Sequence, residues 1–169
     1  MPTISDFDKF NLTASELVSI TRASEGVKLV HNLTDRGIIP FRKEGRSRQY
    51  SFASVLAFDT MVRARGVGLG LHEGAKLADR VIERAKERIG DLYTQIEHLP
   101  GMEWLAYAFD READPPALSA YIVSPDERIT DLQITLSSGW PSDVTSLFPI
   151  DRAIWECAAS YDRETAKNE

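Results

Sequence analysis

The residues best suited to chemistry lie in the stretch GIIPFRKEGRSRQYSF, residues 37–52, which contains four cations within seven positions: Arg42, Lys43, Arg46 and Arg48. Guanidinium and ammonium groups donate hydrogen bonds to phosphate oxygens. A glycine in the middle and an aromatic residue on each side indicate a short β-ribbon with a charged tip. The stretch therefore predicts a loop that lies on phosphates, and the alternative is a solvated turn.

The charge of the chain is divided unevenly, although its net value is −6. Residues 22–65 contain nine Lys and Arg against four Asp and Glu, whereas residues 67–169 contain 10 against 19. A basic N-terminal part joined to an acidic remainder favours an anionic partner for the first part. Such asymmetry also arises by chance in globular proteins.

The residues that commonly form enzyme and metal sites are scattered. His31, His72 and His98 lie in three different segments, and none has the spacing of a metal-binding pair. The single cysteine, Cys157, has a tryptophan and alanines as neighbours, which is typical of a buried, unreactive thiol. The acidic stretch 110–114 fits a solvated loop better than a cation site. We therefore expect no catalytic residue, no metal site, no cofactor and no enzymatic activity.

Two short helices are predicted before the basic stretch. The sequence Thr13-Ala14-Ser15-Glu16 has the form of a capping box, which begins a helix. The pattern breaks at residues 23–26 and resumes with apolar residues at helical spacing. Gly37 is suited to end this second helix, and Pro40 prevents its continuation. Its apolar face is formed by Val27, Leu29, Val30 and Leu33.

The opposite face of the second helix is polar. Burial of the apolar face would direct four side chains outward, with Arg36 at the edge: Lys28, His31, Asn32 and Asp35. Lys, His and Asn can contact base edges or phosphates. An ordinary helical hairpin with a polar surface is the alternative.

A third helix is predicted over residues 52–65, with Ser51 as its N-cap and Gly66 at its end. The following GVGLG, residues 66–70, is unlike a dinucleotide-binding loop because helices are predicted on both sides of it. We interpret it as a connection between helices.

The next segment has an unbroken heptad pattern, in which nine apolar residues are spaced alternately by four and three positions: Leu71, Ala75, Ala78, Ile82, Ala85, Ile89, Leu92, Ile96 and Leu99. This 3.5-residue repeat is typical of a helix that pairs with a second helix, so we predict a homodimerisation helix over residues 69–99. The alternative is a long amphipathic helix that packs on its own domain.

The remaining residues, 100–169, are predicted to form a small α+β domain. Strands are expected over residues 104–109, 118–123, 129–136 and 144–148, with a turn at 124–127, and a final helix over 151–162. The last six residues are expected to be frayed. The predicted fold class is α+β, with an N-terminal helical and ribbon domain over residues 1–68.

Part of the chain, roughly residues 10–99, resembles the MerR-like winged helix-turn-helix family. Four motifs carry the resemblance: S-E-L at 15–17, D-R-G-I-I-P at 35–40, G-R-S-R-Q-Y at 45–50 and R-A-R-G at 63–66. The resemblance implies a homodimer that binds double-stranded DNA sequence-specifically, with the second helix in the major groove and the ribbon as a wing. Residues 101–165 resemble no effector domain of that family.

The resemblance also implies roles for individual residues. Arg48 and Tyr50 correspond to the family's wing positions, which contact the DNA backbone, and three further cations would add phosphate contacts: Arg42, Lys43 and Arg46. The helix candidates are Lys28, His31, Asn32 and Arg36. The expected protein is thus a transcriptional regulator. The alternative is an antitoxin-like or phage regulator whose C-terminal domain mainly binds a protein partner, with DNA binding for autoregulation.

The sequence contains neither a signal-peptide pattern nor an apolar run near the ~20 residues that span a bilayer. We therefore expect a cytoplasmic protein without a membrane partner.

Overall fold

The computed structural model describes residues 2–21, 23–94, 104–110, 117–123 and 145–167. The chain forms two compact units, the first made of Met1–Leu92 with Ala153–Glu169 and the second of Tyr93–Arg152. The long helix and most of the final helix thus belong to the first unit, whereas the sequence predicted separate segments over 69–99 and 100–169. The mixture of helices and strands confirms the α+β class.

The first unit begins with a 3₁₀ turn, Ile4–Phe7, followed by helices α1, Ala14–Thr21, and α2, Gly26–Asp35. The predicted capping box begins α1: the Thr13 N–H donates to Glu16 Oε2 over 2.7 Å, and the Glu16 N–H donates to Thr13 Oγ1 over 3.3 Å. Both donors would otherwise lack partners at the start of the helix.

The end of α2 is also as predicted. Gly37 has a φ of 73°, in the left-handed region where a Cβ atom is disfavoured. Its N–H donates to the Thr34 carbonyl over 2.9 Å, and the Ile38 N–H donates to the Leu33 carbonyl over 3.0 Å. This hydrogen-bond pair is a Schellman motif, which reverses the chain toward the basic stretch.

The basic stretch forms an antiparallel ribbon of β1, Arg42–Glu44, and β2, Ser47–Gln49. Gly45 has a φ of 59° in the turn between the strands. The base of the ribbon is held to the chain before α1, since Leu12 and Tyr50 exchange backbone hydrogen bonds of 3.0 and 2.8 Å. The predicted ribbon with a charged tip is confirmed.

Helix α3, Phe52–Gly66, is capped by Ser51 as predicted, and residues 52–61 are all buried. The helix is enclosed on nearly all sides over these residues, and the final helix contributes to this enclosure. Phe52 makes edge-to-face contacts with Phe7 and Tyr161, each with 5.2 Å between ring centroids. This helix is the centre of the first unit.

Helix α4, Leu71–Thr94, corrects the predicted dimer seam. Three seam residues, Ala78, Ala85 and Ile89, are buried in the core of their own unit. Leu77 and Val81, which lie outside the heptad set, are fully buried beside them. The alternative of packing within the chain is therefore correct for this stretch, because the apolar face is wider than the heptad stripe and its centre is displaced from it.

The other seam residues have different positions. Leu71 is 40% exposed, and Ala75 and Ile82 are half-buried on the flank of the buried face. Leu92 lies in α4 without a described side chain, and Ile96 and Leu99 lie outside the described residues.

The second unit contains a three-stranded antiparallel sheet in the order β4-β3-β5. Its strands are β3, Trp104–Asp110, β4, Ala117–Val123, and β5, Thr145–Phe148, so three predicted strands are confirmed. The central strand pairs Tyr107 with Ala120 on one side and with Ser146 on the other. The predicted strand 129–136 and turn 124–127 lie outside the described residues.

The final helix α5, Ile150–Thr165, is longer than predicted and includes the start of the expected frayed tail. No described helix is both long and apolar enough to cross a membrane.

Helix α4 packs against α3 at Gly74, which is buried. A Cβ atom at this position would lie 2.9 Å from Met61 Sδ and 3.3 Å from Ala64 Cβ. Any side chain there requires its neighbours to move, so the glycine permits the crossing.

We predict that Gly74→Ala is less stable than Gly66→Ala by about 1–3 kcal/mol, because only the first substitution overpacks a helix contact. Gly66 is the matched control, since a Cβ there meets nothing within 4 Å and both substitutions raise helix propensity. Urea denaturation of each variant measures the difference. Equal stability of the two variants would show that the crossing tolerates a methyl group.

Candidate nucleic-acid interface

Helix α2 presents a row of polar side chains to solvent. The buried residues Val30, Leu33 and Thr34 fix the rotation of the helix. The four predicted helix candidates are therefore exposed, and in the described part of the chain their side chains have no hydrogen-bond or ion-pair partner: Lys28, His31, Asn32 and Arg36. Lys28 and Arg36 carry donor groups only, and His31 and Asn32 can both donate and accept hydrogen bonds. This face can donate several hydrogen bonds to an external acceptor.

The ribbon adds a second set of exposed cations. Arg42 lies over the Phe10 ring, with its guanidinium carbon 5.5 Å from the ring centroid. Lys43 and Arg46 are exposed, and among the described residues neither has a side-chain partner. Arg46 follows Gly45 in the turn. The ribbon tip is thus available to an anion.

Arg48 has a different role from these three. Its Nη2 atom donates to Asp35 Oδ1 over 2.6 Å, which ties the second ribbon strand to the end of α2. Its guanidinium carbon also lies 5.5 Å from the Phe41 centroid, and its side chain is only 34% exposed. Arg48 was expected to contact a phosphate, but in the structure it is already engaged by a carboxylate.

Tyr50 requires a correction. Its side chain was expected to touch a DNA backbone, but the residue is 0% exposed, so a phosphate contact is excluded in this conformation. Its hydroxyl lies 3.2 Å from Thr34 Oγ1, and Thr34 Oγ1 donates to the Val30 carbonyl over 2.7 Å. Since the Thr34 proton is used there, the Tyr50 hydroxyl donates to Thr34. Tyr50 thereby joins the base of the ribbon to α2.

These two links give α2 and the ribbon one common surface. Arg48 contacts Asp35 at the end of α2, and Tyr50 contacts Thr34 one residue earlier. The links involve no exposed donor of α2 and no cation of the ribbon tip. The arrangement therefore separates residues that position the surface from residues that are free to bind.

A charged cluster between α3 and α5 escaped the sequence-based predictions. Arg63 Nε donates to Asp59 Oδ2 over 2.6 Å, and Arg63 Nη2 donates to Glu156 Oε2 over 2.8 Å. Asp59 is only 6% exposed. The i, i+4 spacing of Asp59 and Arg63 was visible in the sequence, but Glu156 lies 93 positions beyond Arg63. Only the return of α5 brings it there.

Burial determines the protonation of this cluster. Burial raises the pKa of Asp59 above its ordinary value of 3.8, although the Arg63 hydrogen bond and charge oppose the change. Burial lowers the pKa of Arg63, but the two carboxylates raise it by more, so the guanidinium stays charged. Burial and the Asp59 charge raise the pKa of the Cys157 thiol well above 9.0. Cys157 is thus buried as predicted, and its thiol is protonated at neutral pH.

The residues considered for metal binding do not converge in the described part of the chain. His31 and His72 are exposed on α2 and α4, and Asp110 ends β3. His98, Glu112 and Asp114 lie outside the described residues. No group of three His, Cys, Asp or Glu side chains that could hold a metal occurs among the described residues.

Comparison with known proteins found no family model and no curated protein that matches this chain.

We predict that Asp59→Asn gains stability relative to the wild type as the pH rises above 3.8, because the raised pKa means that folding favours the protonated carboxyl. The contribution of Asp59 is fully present below its unfolded pKa and is lost as the pH rises through its folded pKa. The asparagine keeps an acceptor for Arg63 but does not ionise. The measurement is the difference in the free energy of unfolding between the two proteins from acid to neutral pH. If the wild type instead became more stable relative to Asp59→Asn as the pH rises, the ion pair with Arg63 would stabilise the charged carboxylate by more than burial destabilises it.

Proposed function

We propose that this protein is a sequence-specific DNA-binding transcriptional regulator whose α1, α2, ribbon and α3 act as a winged helix-turn-helix. The observation that carries the proposal is that α2, with exposed donors, is joined to the ribbon, with exposed cations, while these donors and the cations Lys43 and Arg46 have no side-chain partner among the described residues. An α-helix fits the major groove of B-DNA, where base edges present distinct patterns of donors and acceptors. A charged ribbon next to it suits the neighbouring phosphates.

The proposed roles follow the chemistry of the side chains. Asn32 can bond adenine bidentately, and Lys28 and His31 can donate to base acceptors or to phosphates. Lys43 and Arg46 contact phosphates, which gives affinity without sequence information. Arg48 and Tyr50 act indirectly in this proposal, since they hold the ribbon against α2.

We expect the removal of both tip cations, by Lys43→Gln with Arg46→Gln, to weaken binding to specific and random duplexes alike. Each lost phosphate contact should reduce the slope of log K against log salt by about 0.9, because fewer counterions are released. Fluorescence anisotropy with a duplex chosen from a random-sequence library, and with an unrelated duplex, measures both slopes at several salt concentrations.

The matched control for this experiment is Arg80→Gln with Arg84→Gln. It removes the same two charges from α4, where each arginine pairs with a glutamate three positions later. The control should keep the wild-type slope. If the tip variant keeps the wild-type slope, the proposed wing is refuted. If the control variant also shows a reduced slope, the change in slope is caused by the net charge of the protein rather than by phosphate contacts of the ribbon.

The proposed regulator acts as a homodimer, whose two-fold symmetry would match a palindromic operator. Burial of Ala78, Ala85 and Ile89 within their own unit excludes them from a contact between chains. The proposed contact therefore includes fewer residues than the heptad pattern. It uses the accessible flank of α4, which includes Ala75 and Ile82.

If this flank pairs two chains, Ile82→Asp should convert the dimer to a monomer, because a carboxylate would be buried against an apolar surface. Light scattering coupled to gel filtration measures the mass, and Ile82→Ala is the control for lost volume without added charge. Circular dichroism verifies that both variants are folded. A folded Ile82→Asp dimer would place the contact elsewhere.

A further inference from the structure

A cavity of about 330 Å³ opens between α2, the end of α3 and the first turn of α4. Much of its wall is apolar and includes Leu33, Met61, Ala64 and Leu71. Met61 is 6% and Ala64 2% exposed, whereas Leu71 at the mouth is 40% exposed. The size is at the lower end of the range of small-molecule pockets, about 300–1,000 Å³.

The close contact of α4 with α3 at Gly74 lies beside this cavity. Position 74 lies against Met61 and Ala64, both of which also line the cavity. The crossing point therefore lies about one helical turn after Leu71 and sets the distance of the first turn of α4 from α3. The cavity and the Gly74 contact thus share two residues of α3.

The polar part of the lining is cationic. Arg36, at the end of α2, and Arg65, in the last turn of α3, both line the cavity, together with the amide of Asn32. Both arginines are exposed, and neither has a side-chain partner among the described residues. Within the described part of the chain, no carboxylate lines the cavity. A guanidinium binds a carboxylate through two parallel hydrogen bonds, so these residues favour an anionic group over a neutral or cationic one.

We propose that this cavity binds a small amphipathic carboxylate, with its apolar body against Met61 and Leu71 and its carboxylate on Arg65 and Arg36. The binding is independent of the proposed DNA function. Its consequence rests on that function: Asn32 and Arg36 belong both to the cavity and to the exposed face of α2, so the bound carboxylate competes with DNA for them. The ligand is an inhibitor of DNA binding.

The binding is tested on the full chain by isothermal titration calorimetry with 1-naphthoate, an aromatic carboxylate. We expect saturable one-to-one binding, which Arg65→Gln weakens by about tenfold or more because a charge-assisted hydrogen bond is lost. Arg80→Gln, which does not line the cavity, should bind as the wild type does. Neutral 1-naphthamide should bind more weakly by a similar factor, and acetate, which has no apolar body, should not compete.

The proposal is overturned if 1-naphthoate gives no saturable binding, if Arg65→Gln binds it as tightly as the wild type, or if 1-naphthamide binds equally well. Each of these results is obtained without DNA, so it stands whether or not the protein binds DNA.

The second experiment measures DNA affinity with and without saturating 1-naphthoate. At a 1-naphthoate concentration that just saturates the wild type, the dissociation constant for DNA should rise on the order of tenfold in the wild type, as the Arg36 contact is withdrawn. It should rise less in Arg65→Gln, because that variant binds 1-naphthoate more weakly. An unchanged constant in a wild type that binds both DNA and 1-naphthoate would overturn the competition. Absence of DNA binding under all conditions would instead contradict the proposed function.

Discussion

The enclosure of α3 is the constraint on which the first unit depends. A helix buried over residues 52–61 must pack apolar neighbours on every side and must find partners for its polar groups. Phe52 lies between the rings of Phe7 and Tyr161, so the 3₁₀ turn and α5 both pack against the first residue of α3. Ser54 donates to the Pro40 carbonyl over 2.6 Å and so ties the start of α3 to the chain entering the ribbon. The ribbon and α5 are thus positioned by one central helix.

The buried Asp59 is the cost of that enclosure. The hydrogen bond and the charge of Arg63 offset part of it, whereas the charge of Glu156 adds to it. An isolated carboxylate in the core would be strongly destabilising, whereas a paired one still carries the loss of hydration. The bond from Arg63 to Glu156 ties α5 to this cluster. The chemistry of the core and the placement of a helix almost one hundred positions away are therefore coupled through a single guanidinium.

In the candidate interface, some residues hold the ribbon against α2 and others are exposed on its surface. Several local features could be predicted from the sequence: the capping box at Thr13, the stop at Gly37, the ribbon around Gly45 and the outward face of α2. Each of these depends on neighbouring residues only, because capping and turn geometry are set by backbone groups within a few positions. The roles of Arg48 and Tyr50 could not be predicted in this way. Their partners, Asp35 and Thr34, lie 13 and 16 positions earlier, and their contacts exist only when the ribbon packs on α2.

The sequence by itself determined where most of the described helices and strands lie, which face of α2 is polar and where positive charge concentrates. Tertiary structure decided which cations are free and which are engaged, and which apolar stripe of α4 is buried. The heptad pattern shows the reason for this limit. Periodicity identifies an apolar face on a helix, but the pattern is the same whether the face packs on a second chain or on the same one. Leu77 and Val81, which the heptad set omitted, are fully buried, and only the packing of α4 on its own unit shows this. Features that depend on neighbouring residues could therefore be predicted from the sequence, whereas contacts between residues far apart in the chain required the tertiary structure.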